Sequence, residues 1–208
     1  MIHLFLINAV LYLSTYSTSV TRPIPPQGTG LDTTVAVTSA TNLSLDLKTG
    51  GTVKISGGAD KIVRVRVTEG GRPCADCRVE LQQTSAGIQL RSHRTALNAA
   101  PAQLRFEIEV PNRFNVDLAS AGGEVQIEGL DGEIKGQTQS GALNLRRLSG
   151  AVDLQTMSGD VTMRESYVSG RVRTMGGKVL LEDVSGTVDG SSQNGKVIER
   201  RVTRPSGQ

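Results

Sequence analysis

From residue 123 the chain divides into consecutive blocks of eighteen residues, and each block opens on a glycine. Alternating apolar and polar residues follow each glycine, which is typical of a strand with one buried face. The third position of successive blocks carries Val125, Leu143, Val161, Val179 and Val197. Apolar positions that recur every eighteen residues predict coils that lie above one another with like side chains stacked inside. That arrangement is a β-solenoid.

The third of these blocks departs from the others when their internal glycines are aligned. Two extra residues precede Gly170 and two fewer follow it. On this alignment one outward column carries Lys135, Asp153, Arg173 and Asp189, whose charges alternate in sign. Opposite charges on neighbouring strands contribute roughly 0.2–1 kcal/mol per pair and penalise a slip of register. We therefore interpret the column as structural rather than as a strip that binds a charged ligand.

The composition and the first half of the chain favour strands as well. Aromatic residues make up 3% of the chain, tryptophan is absent and glycine occurs 24 times, so the core must be built from Val, Ile and Leu. Such a core suits many short strands. We expect an all-β fold in which a β-rich N-terminal region, residues 33–120, caps or continues a repeat β-solenoid over residues 121–200. Residues 201–208 are expected to form a flexible C-terminal tail, whose arginines and proline discourage edge pairing.

The first segment differs from the rest. The run "MIHLFLINAVLYL" is too short for a membrane span and fits the apolar part of a secretory signal, so we predict a signal peptide over residues 1–19. A buried N-terminal strand or helix is the alternative. Residues 20–32, rich in Pro, Ser and Thr, are expected to form a linker. The mature chain would then be exported, to the periplasm, the cell surface or the medium, without a transmembrane span.

Charge and motifs exclude several functions. The 23 basic and 20 acidic residues are interleaved, without the basic face and stacking aromatic residues of a nucleic-acid binder. The chain has no Ser-His-Asp set, phosphate-binding loop or dinucleotide fingerprint. Its turns lack the repeated carboxylates of calcium-binding β-rolls. The sequence therefore predicts a protein that is not an enzyme and that uses no cofactor and no metal.

One cluster could bind a ligand. The segment "RESYVSG" contains Arg164, Glu165 and Tyr167, and Arg146 and Arg147 are expected beside it on the neighbouring coil. The arginines and the tyrosine could bind an acidic sugar. The alternative, which we favour, is that Arg147 and Glu165 lie in one column and form a surface ion pair worth under about 1 kcal/mol.

The motif "CADC" places Cys74 and Cys77 three residues apart. In an exported chain a small disulfide at a hairpin tip is the preferred interpretation. A free thiol pair is the next alternative. Redox catalysis would need the first cysteine at a helix N-terminus, whereas a strand follows here. A zinc site would need two further ligands, and the only histidines are His3 and His93.

The sequence resembles a widespread bacterial family of unknown function that carries the label "putative adhesin". The resemblance lies in "GGTVKISGGADKIVRVRV" (50–67), in "LRFEIEVPNRFNVDLASAGGEVQIEGLDGEIKGQTQSGAL" (104–143) and in the later "TMSGDV" and "VSGTVDG" units. It implies an exported or surface-facing β-solenoid and supplies no catalytic set. The "CADC" segment departs from the family's pattern.

These observations predict a non-enzymatic protein of the cell envelope that acts as an adhesin-like interaction module. Its partner would be an envelope or surface protein or polysaccharide. Two alternatives stay open. One is a structural scaffold that self-associates end to end, as bactofilin-type solenoids do, and the other is a protein that binds or cleaves envelope polysaccharide.

Overall fold

The computed structural model describes residues 30–37, 41–58, 61–70, 74–84, 87–96 and 103–205. Its elements are all β-strands, and the described residues contain no helix, which confirms the all-β prediction. The strands are β1 (Leu31–Ala36), β2 (Asn42–Leu47), β3 (Thr52–Gly58), β4 (Ile62–Glu69), β5 (Cys77–Gln83), β6 (Gly87–Arg94), β7 (Leu104–Pro111), β8 (Asn115–Ser120), β9 (Val125–Glu128), β10 (Asp131–Thr138), β11 (Leu143–Arg146), β12 (Ser149–Thr156), β13 (Val161–Thr174), β14 (Val179–Ser185), β15 (Val188–Ser192) and β16 (Val197–Arg200).

The signal peptide predicted over residues 1–19 lies outside the described residues. Within the described ranges, no helix is long and apolar enough to cross a membrane.

The sixteen strands form one sheet that bends back on itself at β13 and is nearly closed into a barrel shape. One ladder of parallel strands contains β3, β9, β11, the first part of β13, β14 and β16. A second ladder contains β2, β8, β10, β12, the last part of β13 and β15. The long strand β13 therefore belongs to both ladders and joins them.

The predicted third column matches the register of the first ladder. Val125, Leu143, Val161, Val179 and Val197 are partners in turn, each eighteen residues from the next. The first four side chains are buried, whereas Val197 in the last strand is 43% exposed. The core therefore lies on the inward face of the ladders and opens towards solvent at the last coil.

The two-residue shift predicted for the third block is wrong. Gly170 is the register partner of Val152, so the eighteen-residue offset continues unchanged through this block. Arg171 rather than Arg173 pairs with Asp153, and its guanidinium lies 2.7 Å from the carboxylate. The outward charged column is therefore present, but it contains Arg171 in place of Arg173.

An exchange of two inward residues explains the error. Val168 pairs with Gly150, and Gly170 pairs with Val152, so the third coil carries the valine first and the glycine second. Residues two apart on a strand point to the same face. Each coil still places one aliphatic residue and one glycine at these two positions, so an alignment on the glycines gives a false shift.

The N-terminal region continues both ladders. Leu43 in β2 pairs with Val116, and Val53 in β3 pairs with Val125. Strand β1 begins at Leu31, two residues before the start predicted from the sequence, because the buried Leu31 side chain pairs with Val67 of β4. Beyond these ladders β7, β4 and β1 extend one end of the sheet, and β6 and β5 extend the other.

The turns between coils bring backbone against backbone. A Cβ atom at Gly177 would lie 2.0 Å from the carbonyl oxygen of Gly159, and one at Gly159 would lie 2.2 Å from the carbonyl oxygen of Gly141. Buried hydroxyls donate to these same carbonyls, from Thr174 to Gly159 at 2.8 Å and from Thr156 to Gly141 at 3.3 Å. The turns therefore need glycine at one column and a hydroxyl at another.

Alanine at Gly177 is expected to lower the free energy of unfolding by about 2 kcal/mol, because its Cβ would force the coils apart. The neighbouring Gly176 is the matched control, since the nearest atom to a Cβ there lies 3.5 Å away. Gly176→Ala should leave stability unchanged or slightly raised. Urea unfolding of both variants measures the difference, and equal losses in the two would contradict the close stacking.

Candidate functional site

The candidate site lies at one corner of the coils, where the first ladder ends. Four residues that are not glycine adopt left-handed backbone there, namely Arg147, Glu165, Asp183 and Arg201, with φ between 50° and 56°. They are spaced by eighteen residues, and Gly129, with φ 72°, precedes them in the same column. This conformation costs an L-residue roughly 1–2 kcal/mol, so the surrounding strands must impose it.

Ion pairs cross-link the corner from coil to coil. Arg146 Nη2 lies 2.9 Å from Glu165 Oε1, and Arg147 pairs with Glu128. Hydrogen bonding to Glu165 raises the pKa of Arg146. The three side chains Arg146, Arg147 and Glu165 are each about half exposed, so solvent screens both pairs and they contribute little stability.

Glu182 is the most buried charge of the corner. Its carboxylate forms ion pairs with Arg164, whose Nε lies 2.9 Å away, and with Arg200 and Arg201 at 3.7 Å and 3.6 Å, while 18% of its side chain is exposed. Arg201 also donates to Asp183, with Nη2 2.7 Å from Oδ2. Hydrogen bonding from Arg201 lowers the pKa of the Asp183 carboxyl from its ordinary 3.8.

Tyr167 is the exposed aromatic residue beside these charges. Its side chain is 71% exposed, whereas Phe106 and Phe114 are buried. Its register partners on the neighbouring coils are Ser149 and Ser185, whose short side chains leave the ring uncovered.

The structure thus brings the five predicted residues to one corner but pairs them differently. Arg147 and Glu165 share the left-handed column, as expected. The surface pair predicted between them is wrong, because Glu165 pairs with Arg146 and Arg147 pairs with Glu128 of the coil before. The ion pairs of Arg147 and Glu165 are therefore diagonal, whereas Arg201 pairs with Asp183 inside the left-handed column.

The sequence prediction missed the acidic partners of this corner and the last arginines. The signal was present in the same eighteen-residue spacing. Glu128, Arg146, Arg164, Glu182 and Arg200 occupy one column and are register partners in turn.

The two cysteines lie outside this corner, Cys74 just before β5 and Cys77 at its first residue. They form a disulfide with Cα atoms 5.4 Å apart. The predicted hairpin tip is wrong, because β4 pairs with β1 and β7, whereas β5 pairs with β6. Cys77 is fully buried and Cys74 nearly so.

No family model matches the chain, and no curated protein matches it. Among solved structures, it is similar to a putative cell adhesion protein from Clostridium sporogenes, at 12% identity and a TM-score of 0.38, covering 85% of this chain and 100% of that one. A putative adhesin from Bacteroides fragilis is 14% identical, with a TM-score of 0.30 and coverage of 86% and 99%. A putative lipid binding protein from Parabacteroides distasonis is 10% identical, with a TM-score of 0.25 and coverage of 87% and 98%. Since these identities and scores are low, the function must be inferred from this chain's own residues.

The Asp183 carboxyl should make the free energy of unfolding depend on pH in the acidic range. A pKa that is lower in the folded state contributes stability above the unfolded pKa, and this contribution is lost as the pH falls through the folded pKa. Asp183→Asn keeps a residue that tolerates left-handed backbone and removes the titration. The stability difference between wild type and variant should therefore shrink between about pH 5 and pH 2 in urea unfolding.

Arg201→Gln removes the donor to Asp183 and should reduce the same acid dependence. A stability difference between wild type and Asp183→Asn that is constant across this pH range would contradict the assignment.

Proposed function

We propose that the two ladders form a β-solenoid of eighteen-residue coils and that the protein is a non-enzymatic interaction module of the cell envelope. We further propose that it is exported by a signal peptide over residues 1–19 and belongs to the adhesin-like family that its sequence resembles. The constant register across five successive coils supports the solenoid, since each coil repeats the fold of the one before.

The observation that carries the proposed role is the exposure of Tyr167 at a corner of arginines. Tyrosine and arginine are enriched among the residues that dominate binding at protein interfaces. A tyrosine ring also offers an apolar face together with a hydroxyl that can hydrogen-bond. Between Ser149 and Ser185 this ring stands clear of its neighbours, so a flat partner can lie against it.

The charges at the corner support binding rather than catalysis. A general acid that works near neutral pH needs a raised pKa. The pKa of the Asp183 carboxyl is lowered instead. The corner carboxylates Glu128, Glu165 and Glu182 are each held by an arginine. These carboxylates hold the arginine side chains in place at the surface, where a binding partner can contact them.

The last coil supports an interaction module over a scaffold that stacks end to end. Glu199 occupies the position that pairs with the buried Leu181, where earlier coils carry an apolar side chain. Arg204 donates to the Glu199 carboxylate at 2.5 Å and 3.0 Å. Charged residues at an open strand edge discourage pairing with another chain. The last coil thus places a charged pair, Glu199 with Arg204, beside the exposed Val197 at the end of the ladder.

The test of the binding role is a pull-down of envelope fractions, and of a panel of neutral and acidic polysaccharides, with the purified chain. Tyr167→Ser should lower retention at least about tenfold, as expected for the loss of a central aromatic contact. Met157→Ser is the matched control, because Met157 is also exposed, at 52%, but lies at a different corner. Equal retention of wild type and Tyr167→Ser would contradict the assignment of the corner.

The end-coil interpretation is tested by making that coil apolar. Glu199→Val would continue the inward apolar column to the open edge, so we expect concentration-dependent oligomers in analytical ultracentrifugation. Glu199→Gln removes the charge but keeps a polar side chain and should behave as wild type. If Glu199→Val sediments like Glu199→Gln at high concentration, the glutamate is not what limits stacking.

A further inference from the structure

The connection between β4 and β5 forms a tight turn that brings two cysteines and an aspartate together. The Cys77 N–H donates to the Cys74 carbonyl oxygen at 3.2 Å, which closes the turn. One sulfur atom from each cysteine and one carboxylate oxygen of Asp76 all lie within 4.8 Å of one another. The turn therefore gathers three atoms of the kinds that bind metal ions.

Asp76 places a buried carboxylate oxygen in this turn without a hydrogen-bond partner in the described part of the chain. Among the described residues, its Oδ2 is the buried side-chain oxygen or nitrogen that has no hydrogen-bond partner. Its other oxygen lies 3.4 Å from Cys74 Sγ. A disulfide sulfur carries no proton, so the disulfide form gives that oxygen no donor. Burying a carboxylate oxygen without a partner is costly, which points to a second state of the turn in which a cation or a donor meets it.

Two neighbouring charged side chains, those of Arg78 and Glu69, contact the backbone of the turn rather than this carboxylate. Arg78 Nη1 donates to the carbonyl oxygens of Ala75 and Cys77, at 3.2 Å and 3.0 Å. Glu69 lies on the other side of the turn, where its Oε1 accepts the Cys74 N–H at 3.2 Å. A second carboxylate beside the turn adds negative charge and would favour a cation.

We propose that reduction of the Cys74–Cys77 disulfide opens a site for one thiophilic divalent cation of the zinc class, held by both thiolates and by Asp76. Zinc binds thiolate at about 2.3 Å and carboxylate oxygen at about 2.0–2.2 Å, so its ligands lie within about 4.6 Å of one another. Three protein ligands and a water complete the four-coordinate shell that zinc prefers. The two further ligands that the motif lacks in sequence are thus Asp76 and water.

The two states exclude each other. A dithiol reductant transfers two electrons and two protons to the disulfide, closes its own disulfide, and leaves thiols at Cys74 and Cys77. Binding of the cation releases both protons to solvent, because the thiolate is the ligand. The oxidised turn cannot hold the ion, since both sulfurs are bonded to each other. The turn would therefore bind metal only where the surroundings are reducing.

The experiment uses the full chain with Co²⁺ as the spectroscopic probe and Zn²⁺ as its competitor. The protein is reduced with dithiothreitol and desalted without oxygen before titration. We expect one equivalent of Co²⁺ to give thiolate-to-cobalt charge-transfer absorption, Zn²⁺ to abolish it, and the oxidised protein to give none. Absence of the band in the reduced protein would overturn the proposal, as would equal binding by the oxidised protein.

Variants separate Asp76 from a site made by the thiols alone. Asp76→Asn keeps the shape of the side chain and should weaken Co²⁺ binding at least about tenfold. Cys74→Ser should abolish the absorption. Glu80→Gln, which removes a negative charge from β5, is the control and should bind as wild type. Unchanged affinity in Asp76→Asn would show that the carboxylate is not a ligand and would overturn the three-ligand site.

Discussion

The structure depends on the close contact of backbone with backbone at one column of glycines. A Cβ at Gly141, Gly159 or Gly177 would lie 2.0–2.2 Å from the carbonyl oxygen of the glycine eighteen residues earlier. The same carbonyls accept hydrogen bonds from buried hydroxyls, such as those of Thr156 and Thr174. An unpaired carbonyl at this depth would be costly, so the glycine that allows the approach and the hydroxyl that satisfies it form one unit. Three successive coils repeat that unit, since the Ser192 hydroxyl likewise donates to the Gly177 carbonyl oxygen at 2.6 Å.

Because the turns and the inward apolar columns fix each coil, the outward positions are free to vary without loss of the fold. The chain uses them for ion pairs between coils, and at one corner it accepts left-handed backbone at Arg147, Glu165 and Asp183. Each such residue costs about a kilocalorie per mole, comparable to the ion pair it makes, so the corner gains little stability from its charges. Its arginines are therefore held in place and half exposed, as a binding surface requires.

The sequence was sufficient to predict the all-β class, the eighteen-residue offset and the third column, because these follow from apolar spacing. It was insufficient for the register of the third coil, since Val168 and Gly170 point to the same face and their exchange leaves the period of two intact. The ion-pair partners at the corner were missed for another reason. A column predicts which residues are neighbours, but each charge here has acidic and basic neighbours on several sides, and Arg147 and Glu165 pair diagonally while Arg201 pairs with Asp183 in the column.

The corner and the cysteine turn also differ in their relation to the eighteen-residue repeat. The corner arises from the repeat itself, since one position of every coil adopts the same conformation, and Tyr167 is distinguished from Ser149 and Ser185 only by its side chain. The cysteine turn lies outside the repeat, in the connection that carries the chain from β4 in the extension of one ladder to β5 in the extension of the other. The turn is not bound by the eighteen-residue period, but both of its cysteines are buried and Cys77 pairs with Arg94 of β6, so the turn is anchored to the end of the sheet. The proposed recognition surface thus lies on the coils, whereas the proposed metal site lies outside them in the turn that leads into β5.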